Sequence, residues 1–329
     1  MGSQVNAQSV QSWNALRRAV LDASIGASVA QLLSADPSPA VLTLKGIALL
    51  DEKDEQRLTI AYRFDNGVEV IGKAFSDHER AQRLARDHGA LWAAALPVPE
   101  PLGVVADGSM AVHRRAPGLP LATLLADHAA IDLVHRAGSC LADLHASRPS
   151  LDRVADLSAD IAKWQRWAVA IDHSAPTGTI SARRLARQLA DGAGALGGGA
   201  GAPIHHDFHP GHVVVGPVMT IIDLDEVRIG APAVDIGHFE AYLHLASWRD
   251  PAVAARLDDH LHAFARGWSY RGADIGDRAI AWARAAAFMK IAWQVALGLG
   301  VVPRPSGQQR RAEVARALAA GEASVARVA

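Results

Sequence analysis

Apolar residues at Val10, Trp13, Leu16, Val20 and Leu21 recur at helical spacing, so an amphipathic helix is expected over residues 8–23. A second, shorter helix is expected over 28–33, ending before Pro37 and Pro39. The period then changes. Residues 41–50, 57–64 and 68–75 are rich in Val, Ile, Leu and Tyr, and Asp51-Glu52-Lys53-Asp54 and Asp65-Asn66-Gly67 separate them, which predicts a three-stranded antiparallel meander. A helix follows, opened by Ser76 with Glu79 three residues on, the spacing of a capping box, and stopped by Pro97, Pro99 and Pro101. Two further strands, 102–106 and 110–115, flank an Asp107-Gly108 turn.

Beyond Pro117-Gly118 the pattern becomes helical. Residues 131–145 place Leu133, Ala137, Cys140, Leu141 and Leu144 on one face, and 157–171 and 181–196 also carry a helical period. One strand-like stretch, 204–227, interrupts this half, and at least three helices follow it. The glycine-rich run 194–201 has no Gly-Lys-Ser/Thr after it, so it reads as a connector rather than a phosphate-cradling loop.

Composition narrows the classes of function. The 33 basic and 34 acidic side chains leave a formal charge of −1, which offers no field to a nucleic acid or an anionic membrane. Cys140 is the only cysteine, so no intrachain disulfide and no multi-cysteine zinc site can form. The first twenty residues lack a signal-peptide apolar core, and the apolar run 291–302 falls short of the ~20 residues that a membrane span needs. The expectation is a cytoplasmic protein with neither a membrane nor a nucleic-acid partner. Trp268, Trp282 and Trp293 lie in apolar helical patterns and read as core, as does Cys140.

The densest chemistry is Ile204-His205-His206-Asp207-Phe208-His209-Pro210-Gly211-His212. Val213-Val214-Val215, a Gly216-Pro217 turn, Ile221-Ile222 and the acidic run Asp223-Leu224-Asp225-Glu226 follow. A loop entering a β-hairpin whose far strand ends in acids would bring Asp207 and Asp223 towards one cleft. Gathered carboxylates suit hard divalent cations and phosphates, and one of them can accept a substrate proton.

His205-x-Asp207-x-His209-Pro210-Gly211-x-Val213, followed by Ile222-Asp223 and Gly230-x-Pro232-Ala233-x-Asp235, resembles the aminoglycoside phosphotransferase and choline kinase-like family. Leu96-Pro97-Val98-Pro99, Ala116-Pro117-Gly118-x-Pro120-Leu121 and Leu141-Ala142-x-Leu144-His145 extend the resemblance over residues 40–245. It implies a bilobal, protein-kinase-like α+β fold. An N-terminal helical extension (1–36) would precede a nucleotide-binding lobe with a five-stranded antiparallel sheet (37–116). A helical lobe (117–329) would carry the catalytic loop and the acceptor site. The implied reaction moves the γ-phosphoryl group of ATP or GTP, with Mg²⁺, to a hydroxyl of a small molecule such as an antibiotic, a sugar or a related metabolite.

The resemblance also implies roles. Asp207 stands at the catalytic aspartate, Asp223 at the acid that binds Mg²⁺, and Lys73 at the lysine that holds the α- and β-phosphates. Asp87, in Leu84-Ala85-Arg86-Asp87, is the candidate partner of Lys73, with Glu79 as competitor. The backbone of His113, Arg114 and Arg115 would lie by the adenine. His205 would brace the catalytic loop, and Asp235 would cap its helix and hold that loop. Asp225 either assists the metal or is solvated.

Three departures stand out. His212 replaces the Asn or Gln that supplies a neutral oxygen to the metal; imidazole suits softer ions, so the second metal is weak, or water intervenes, or Mn²⁺ works better than Mg²⁺. His206 stands where a Gly or Arg is common, and nothing in the sequence explains it. No Gly-x-Gly-x-x-Gly loop lies between the first two strands. Two other readings therefore stay open: a catalytically impaired, pseudokinase-like binding protein, and a hydrolase in which His205, His206, His209, His212 and Asp207 hold metal. Asp258, Asp259, Asp274 and Asp277 offer thin support for a polycationic acceptor.

Overall fold

The computed structural model describes residues 7–33, 42–53, 55–177, 181–196, 201–269, 271, 275–299 and 306–327. Pro37, Pro39, Val41, Asp54, residues 197–200 and Asp274, which enter the sequence reading, lie outside the described residues. The chain forms two compact units. One comprises Met1–Pro117 with Thr220–Asp225, the other Gly118–Met219 with Glu226–Ala329.

The first unit opens with helices α1 (Ala7–Leu21) and α2 (Ile25–Leu33). Strands β1 (Leu44–Lys53), β2 (Arg57–Phe64) and β3 (Glu69–Phe75) follow, then helix α3 (His78–Ala93) and strands β4 (Pro101–Val105) and β5 (Met110–Arg114). The sheet has the order β1-β2-β3-β5-β4 with every neighbour antiparallel. Alternation along the strands divides its two faces. Leu58, Ile60, Tyr62, Val70 and Ala74 turn towards Trp13, Val20, Ile25 and Val29, so the N-terminal helices share the core of the sheet. The Tyr62 hydroxyl ties that face shut by donating to the Val20 carbonyl at 2.7 Å. Lys73 falls between Gly72 and Ala74 in the alternation and so points to the other face, opposite Thr59 and Ala111 in register.

Two expectations shift here. Asp51, Glu52 and Lys53 stay in the ladder of β1, paired with Thr59, Leu58 and Arg57, so the turn begins later than the acidic run suggested. Asp77 rather than Ser76 caps α3: its carboxylate accepts from the Glu79 N–H at 3.0 Å, a shorter path than the capping box.

The second unit begins with the short strand β6 (Leu119–Pro120) and helices α4 (Ala130–Ala146), α5 (Leu157–Ser174) and α6 (Ala182–Asp191). Strands β7 (Ala202–Ile204) and β8 (Val213–Val215) follow, while β9 (Thr220–Ile221) groups with the first unit, where the Ile221 N–H donates to the Pro97 carbonyl at 2.7 Å. Strand β10 (Arg228–Gly230) pairs antiparallel with β7, and β6 with β8. Helices α7 (Ala233–Arg249), α8 (Pro251–Ala254), α9 (Leu257–Ser269), α10 (Asp277–Leu297) and α11 (Gly307–Val325) complete the chain. Trp164, Leu185, Trp282, Phe288, Ile291 and Leu318 lie in one apolar core of this unit. Trp268 and Trp282 are buried as expected, whereas Trp293 is half-buried and stacks on Trp167 at 4.7 Å. Cys140 is half-buried rather than fully enclosed, and burial still pushes its thiol up to about 11.

Helices α4 and α9 approach so closely that Gly138 and Gly267 have no room for a side chain. A Cβ on Gly267 would overlap the His135 carbonyl, and one on Gly138 the Phe264 carbonyl. Gly267→Ala therefore loses stability although alanine favours helices by ~1 kcal/mol. The expected net loss is about 1–3 kcal/mol, as for an overpacked core, in a urea titration of the variant.

Candidate active site

In the first unit the chemistry gathers on Lys73. Its ammonium donates to Asp223 Oδ1 and to Asp225 Oδ1, the latter at 2.5 Å, and Arg57 Nη1 donates to Asp225 Oδ2 at 2.7 Å. Burial alone would neutralise Lys73, but the two carboxylates reverse that effect and raise its pKa above the usual lysine value. Lys73 is held by Asp223 and Asp225; Asp87 is buried on α3, and Glu79 sits on the exposed first turn of that helix. Asp225 is not solvated: its side chain is 5% exposed, against 28% for Asp223. A small cleft lined by Lys73, Leu84, His88, Pro99, His113, Asp223 and Leu224 adjoins the pair. His88 Nε2 donates to the Pro99 carbonyl at 2.7 Å and His113 Nδ1 to the Arg114 carbonyl at 2.8 Å. Arg114 pairs with Glu100, and Arg115 with Glu69 at 2.8 Å.

In the second unit a fully buried carboxylate organises the loop after β7. Asp235 Oδ2 accepts from the His205 N–H and Oδ1 from the His206 N–H, each at 2.7 Å. His145 Nε2 donates to Oδ2 at 3.0 Å, and Trp268 Nε1 donates to His145 Nδ1 at 3.0 Å, which fixes the tautomer of that imidazole. Burial disfavours the Asp235 anion, but these donors outweigh it and its pKa is lowered. Asp235 does not cap its helix, because Pro232 occupies the N-cap of α7. His206 takes φ +67°, and its ring stands 3.6 Å from Asp160 on α5. Fully buried His205 accepts the Asp207 N–H at Nδ1 (3.3 Å).

That loop presents Asp207. Lys290 Nζ of α10 stands 2.6 Å from Oδ1, and His238 Nε2 of α7 stands 3.0 Å from it, both off the line of an ideal hydrogen bond. Oδ1 is buried although the side chain is 25% exposed, so the accessible oxygen is Oδ2. Burial would protonate the acid; Lys290, then His238 and His212, hold its pKa well below the carboxylate range. Tyr242, about two turns beyond Asp235 on α7, stacks on His209 at 4.3 Å, and its hydroxyl donates to Gln294 Oε1 of α10 at 2.6 Å.

Ligand atoms of Asp207, His209 and His212 lie within 4.8 Å of one another. The wider histidine set does not assemble with them, since His206 turns to Asp160 and His205 is spent on the Asp207 backbone. His209 Nδ1 accepts the Gly211 N–H at 3.0 Å, which leaves the proton on Nε2 and disfavours it as a ligand. His212 differs. Its Nδ1–H donates to the Asp207 carbonyl at 2.9 Å, so Nε2 carries the lone pair.

A family model described as "Phosphotransferase enzyme family" matches residues 53–274, about two thirds of the chain. The chain belongs to this family. It is thereby a small-molecule kinase, and the family's chemistry uses a nucleoside triphosphate and a divalent metal. No curated protein matches the chain. Among solved structures it is similar to the amicoumacin kinase hAmiN, at 13% identity over 97% of this chain and 96% of that one, with a TM-score of 0.61. A choline/ethanolamine kinase family protein from Mesorhizobium loti matches at 17% identity over 92% and 99%, with a TM-score of 0.59. An ethanolamine kinase from Plasmodium vivax matches at 10% identity over 98% and 95%, also at 0.59. At these identities the likeness speaks for the protein-kinase-like α+β fold. Among the described residues no helix is long and apolar enough to cross a membrane.

The donor set of this phosphotransferase fits a hard divalent cation: the more exposed carboxylate of the Lys73 pair is Asp223, which adopts φ +62°. Sequence reasoning missed Lys290, His238, Tyr242 and Arg57. Only Lys290 carried a signal, as one of five lysines in the chain, set inside an otherwise apolar helical run.

Buried imidazoles make this enzyme acid-sensitive. Burial, with smaller charge effects, lowers His88 to about 3 and His113 and His238 to about 4. The unfolded chain binds protons at these sites below ~6.5, whereas the folded chain refuses them down to about 4. Stability is thus complete above pH 6.5 and is lost as pH falls towards 4. Each group costs up to ~1.4 kcal/mol per pH unit, so denaturant melts at pH 7.5 and 5.5 should differ by on the order of 3–4 kcal/mol.

Proposed function

We propose that the protein transfers the γ-phosphoryl group of ATP or GTP to a hydroxyl of a small molecule, with Asp207 as the base. The observation that supports this most is the asymmetry of the Asp207 carboxylate: Oδ1 is buried against Lys290 and His238, and the accessible edge remains for an acceptor. The acceptor hydroxyl gives its proton to Oδ2 while its oxygen attacks the γ-phosphorus, and the bond to the β–γ bridging oxygen breaks to release the nucleoside diphosphate. Asp207 enters the step as the anion, because Lys290 keeps it ionised, and becomes the neutral acid when it takes the proton.

The first unit supplies the donor side of this reading. Lys73, kept charged by two acids, pairs with the α- and β-phosphates, and the backbone of His113, Arg114 and Arg115 lies by the nucleobase. Asp223 would hold Mg²⁺, with His212 contributing Nε2 and Asp225 orienting Lys73. The bound cation supplies charge neutralisation on the phosphates. Asp87 remains a nucleotide-side residue through its place on α3. His205 and Asp235 act as positioning residues for the loop that carries Asp207.

Asp207→Asn keeps the shape of the site and removes the base. It should lower ADP release over a library of hydroxylated antibiotics and sugars by ~10²–10⁴-fold, while Mg-ATP affinity by calorimetry stays within about twofold. Turnover near that of the wild type would refute the assignment. If His212 reaches the cation, Mn²⁺ supports faster turnover than Mg²⁺ in the wild type, and His212→Asn reverses the order; equal ratios in both proteins would remove His212 from that role.

A further inference from the structure

The acceptor side of Asp207 carries a charge pattern that points to a substrate class. The ammonium of Lys290 stands 2.6 Å from Asp207 Oδ1, and the imidazole Nε2 of His238 stands 3.0 Å from the same oxygen. The acids that would welcome a polycation sit elsewhere. Asp258 and Asp259 are exposed on the first turn of α9. Asp277 opens α10, thirteen residues before Lys290, which is ~20 Å of helical rise.

Lys290 is placed to read an acceptor. Its side chain is 18% exposed, and its ammonium has three donor directions, of which the approach to Asp207 Oδ1 uses one. Trp293 and Gln294 share its face of α10 at the i+3 and i+4 positions. Gln294 leads through Tyr242 to His209 of the catalytic loop, and Trp293 forms a half-buried pair with Trp167. A hydroxyl on Oδ2 thus has its neighbouring substituent beside an ammonium.

We propose that Lys290 is an acceptor-binding residue that selects a hydroxy compound with an anionic group, a carboxylate or a phosphate, next to the phosphorylated hydroxyl, and that it rejects polyamines. This rests on Asp207 being the base of the transfer. An anion there gains a charge-assisted hydrogen bond, whereas an amine meets a fixed positive charge.

The test compares three sets of compounds: hydroxycarboxylates and sugar phosphates, neutral sugars, and polyamine aminoglycosides. Melting temperature without nucleotide and ADP release with Mg-ATP are both read on the wild type, Lys290→Met and Lys290→Arg. Members of the anionic set should raise the wild-type melting temperature and drive ADP release, and the responding arm separates carboxylate from phosphate. Lys290→Met should raise the acceptor KM by ~10–100-fold with the ATP KM within about twofold, and Lys290→Arg should recover most of it. A melting shift or turnover with polyamines, turnover confined to neutral sugars, no response to either anionic arm, or an acceptor KM untouched in Lys290→Met would each overturn the proposal. ADP release with no compound, alongside an anion-dependent melting shift lost in Lys290→Met, would strike instead at the phosphotransferase reading.

Discussion

A carboxylate with no contact to water is the costliest group that a protein can place in its interior, and Asp235 is such a group. Three N–H donors converge on it: two from the backbone of the catalytic loop and one from His145, itself fixed by Trp268. Losing any one of them leaves the buried anion short of a hydrogen bond, which costs about 1–3 kcal/mol. The loop is therefore pinned to α7 at two consecutive peptide groups. That pinning also explains how His206 tolerates a left-handed backbone, a conformation that costs a non-glycine residue on the order of 1–3 kcal/mol.

From the pinned loop outward, two charge clusters follow opposite logic. In the second unit a cation serves an acid: Lys290, with the His238 imidazole beside it, lies against one oxygen of Asp207 and leaves the other accessible. In the first unit acids serve a cation: Asp223 and Asp225 keep buried Lys73 protonated, and Arg57 steadies Asp225. Both arrangements hold a group in its charged form despite burial, which is the form that phosphoryl transfer needs. Neither depends on neighbouring positions in the chain, so each comes into existence only with the fold.

That dependence sets what could be read in advance. The strands of the sheet, α3 and the helices after Pro117 were legible because apolar periodicity is local. The loop around Asp207, the acid at Asp223 and the strand position of Lys73 were legible as a resemblance in motif order. Contacts across long separations were not. Two acids that pair with Lys73 lie 150 and 152 residues away, a separation that no local pattern conveys. His238 follows Asp235 by less than one helical turn, so a helical reading of 233–249 puts both on one face, but nothing local says that this face meets the catalytic loop. The capping of α3 failed differently, since Ser76 and Asp77 are both good caps and backbone geometry chose the second.

His212 shows how one residue's backbone can set another's chemistry. The Asp207 carbonyl accepts the His212 Nδ1–H, so this peptide decides which imidazole nitrogen keeps its lone pair. An asparagine at this position would present an amide oxygen without needing such help. A histidine needs its tautomer fixed, and here it is fixed by the backbone carbonyl of Asp207. His209 is fixed in the opposite sense by the Gly211 N–H, so two adjacent rings, 3.8 Å apart between centroids, carry their protons on opposite nitrogens. The loop therefore does not offer a generic cluster of histidines. It offers one imidazole with its lone pair on Nε2, one with its proton there, and a carboxylate within 4.8 Å of both held as an anion, and this division of labour follows from backbone hydrogen bonds that side-chain identity alone does not reveal.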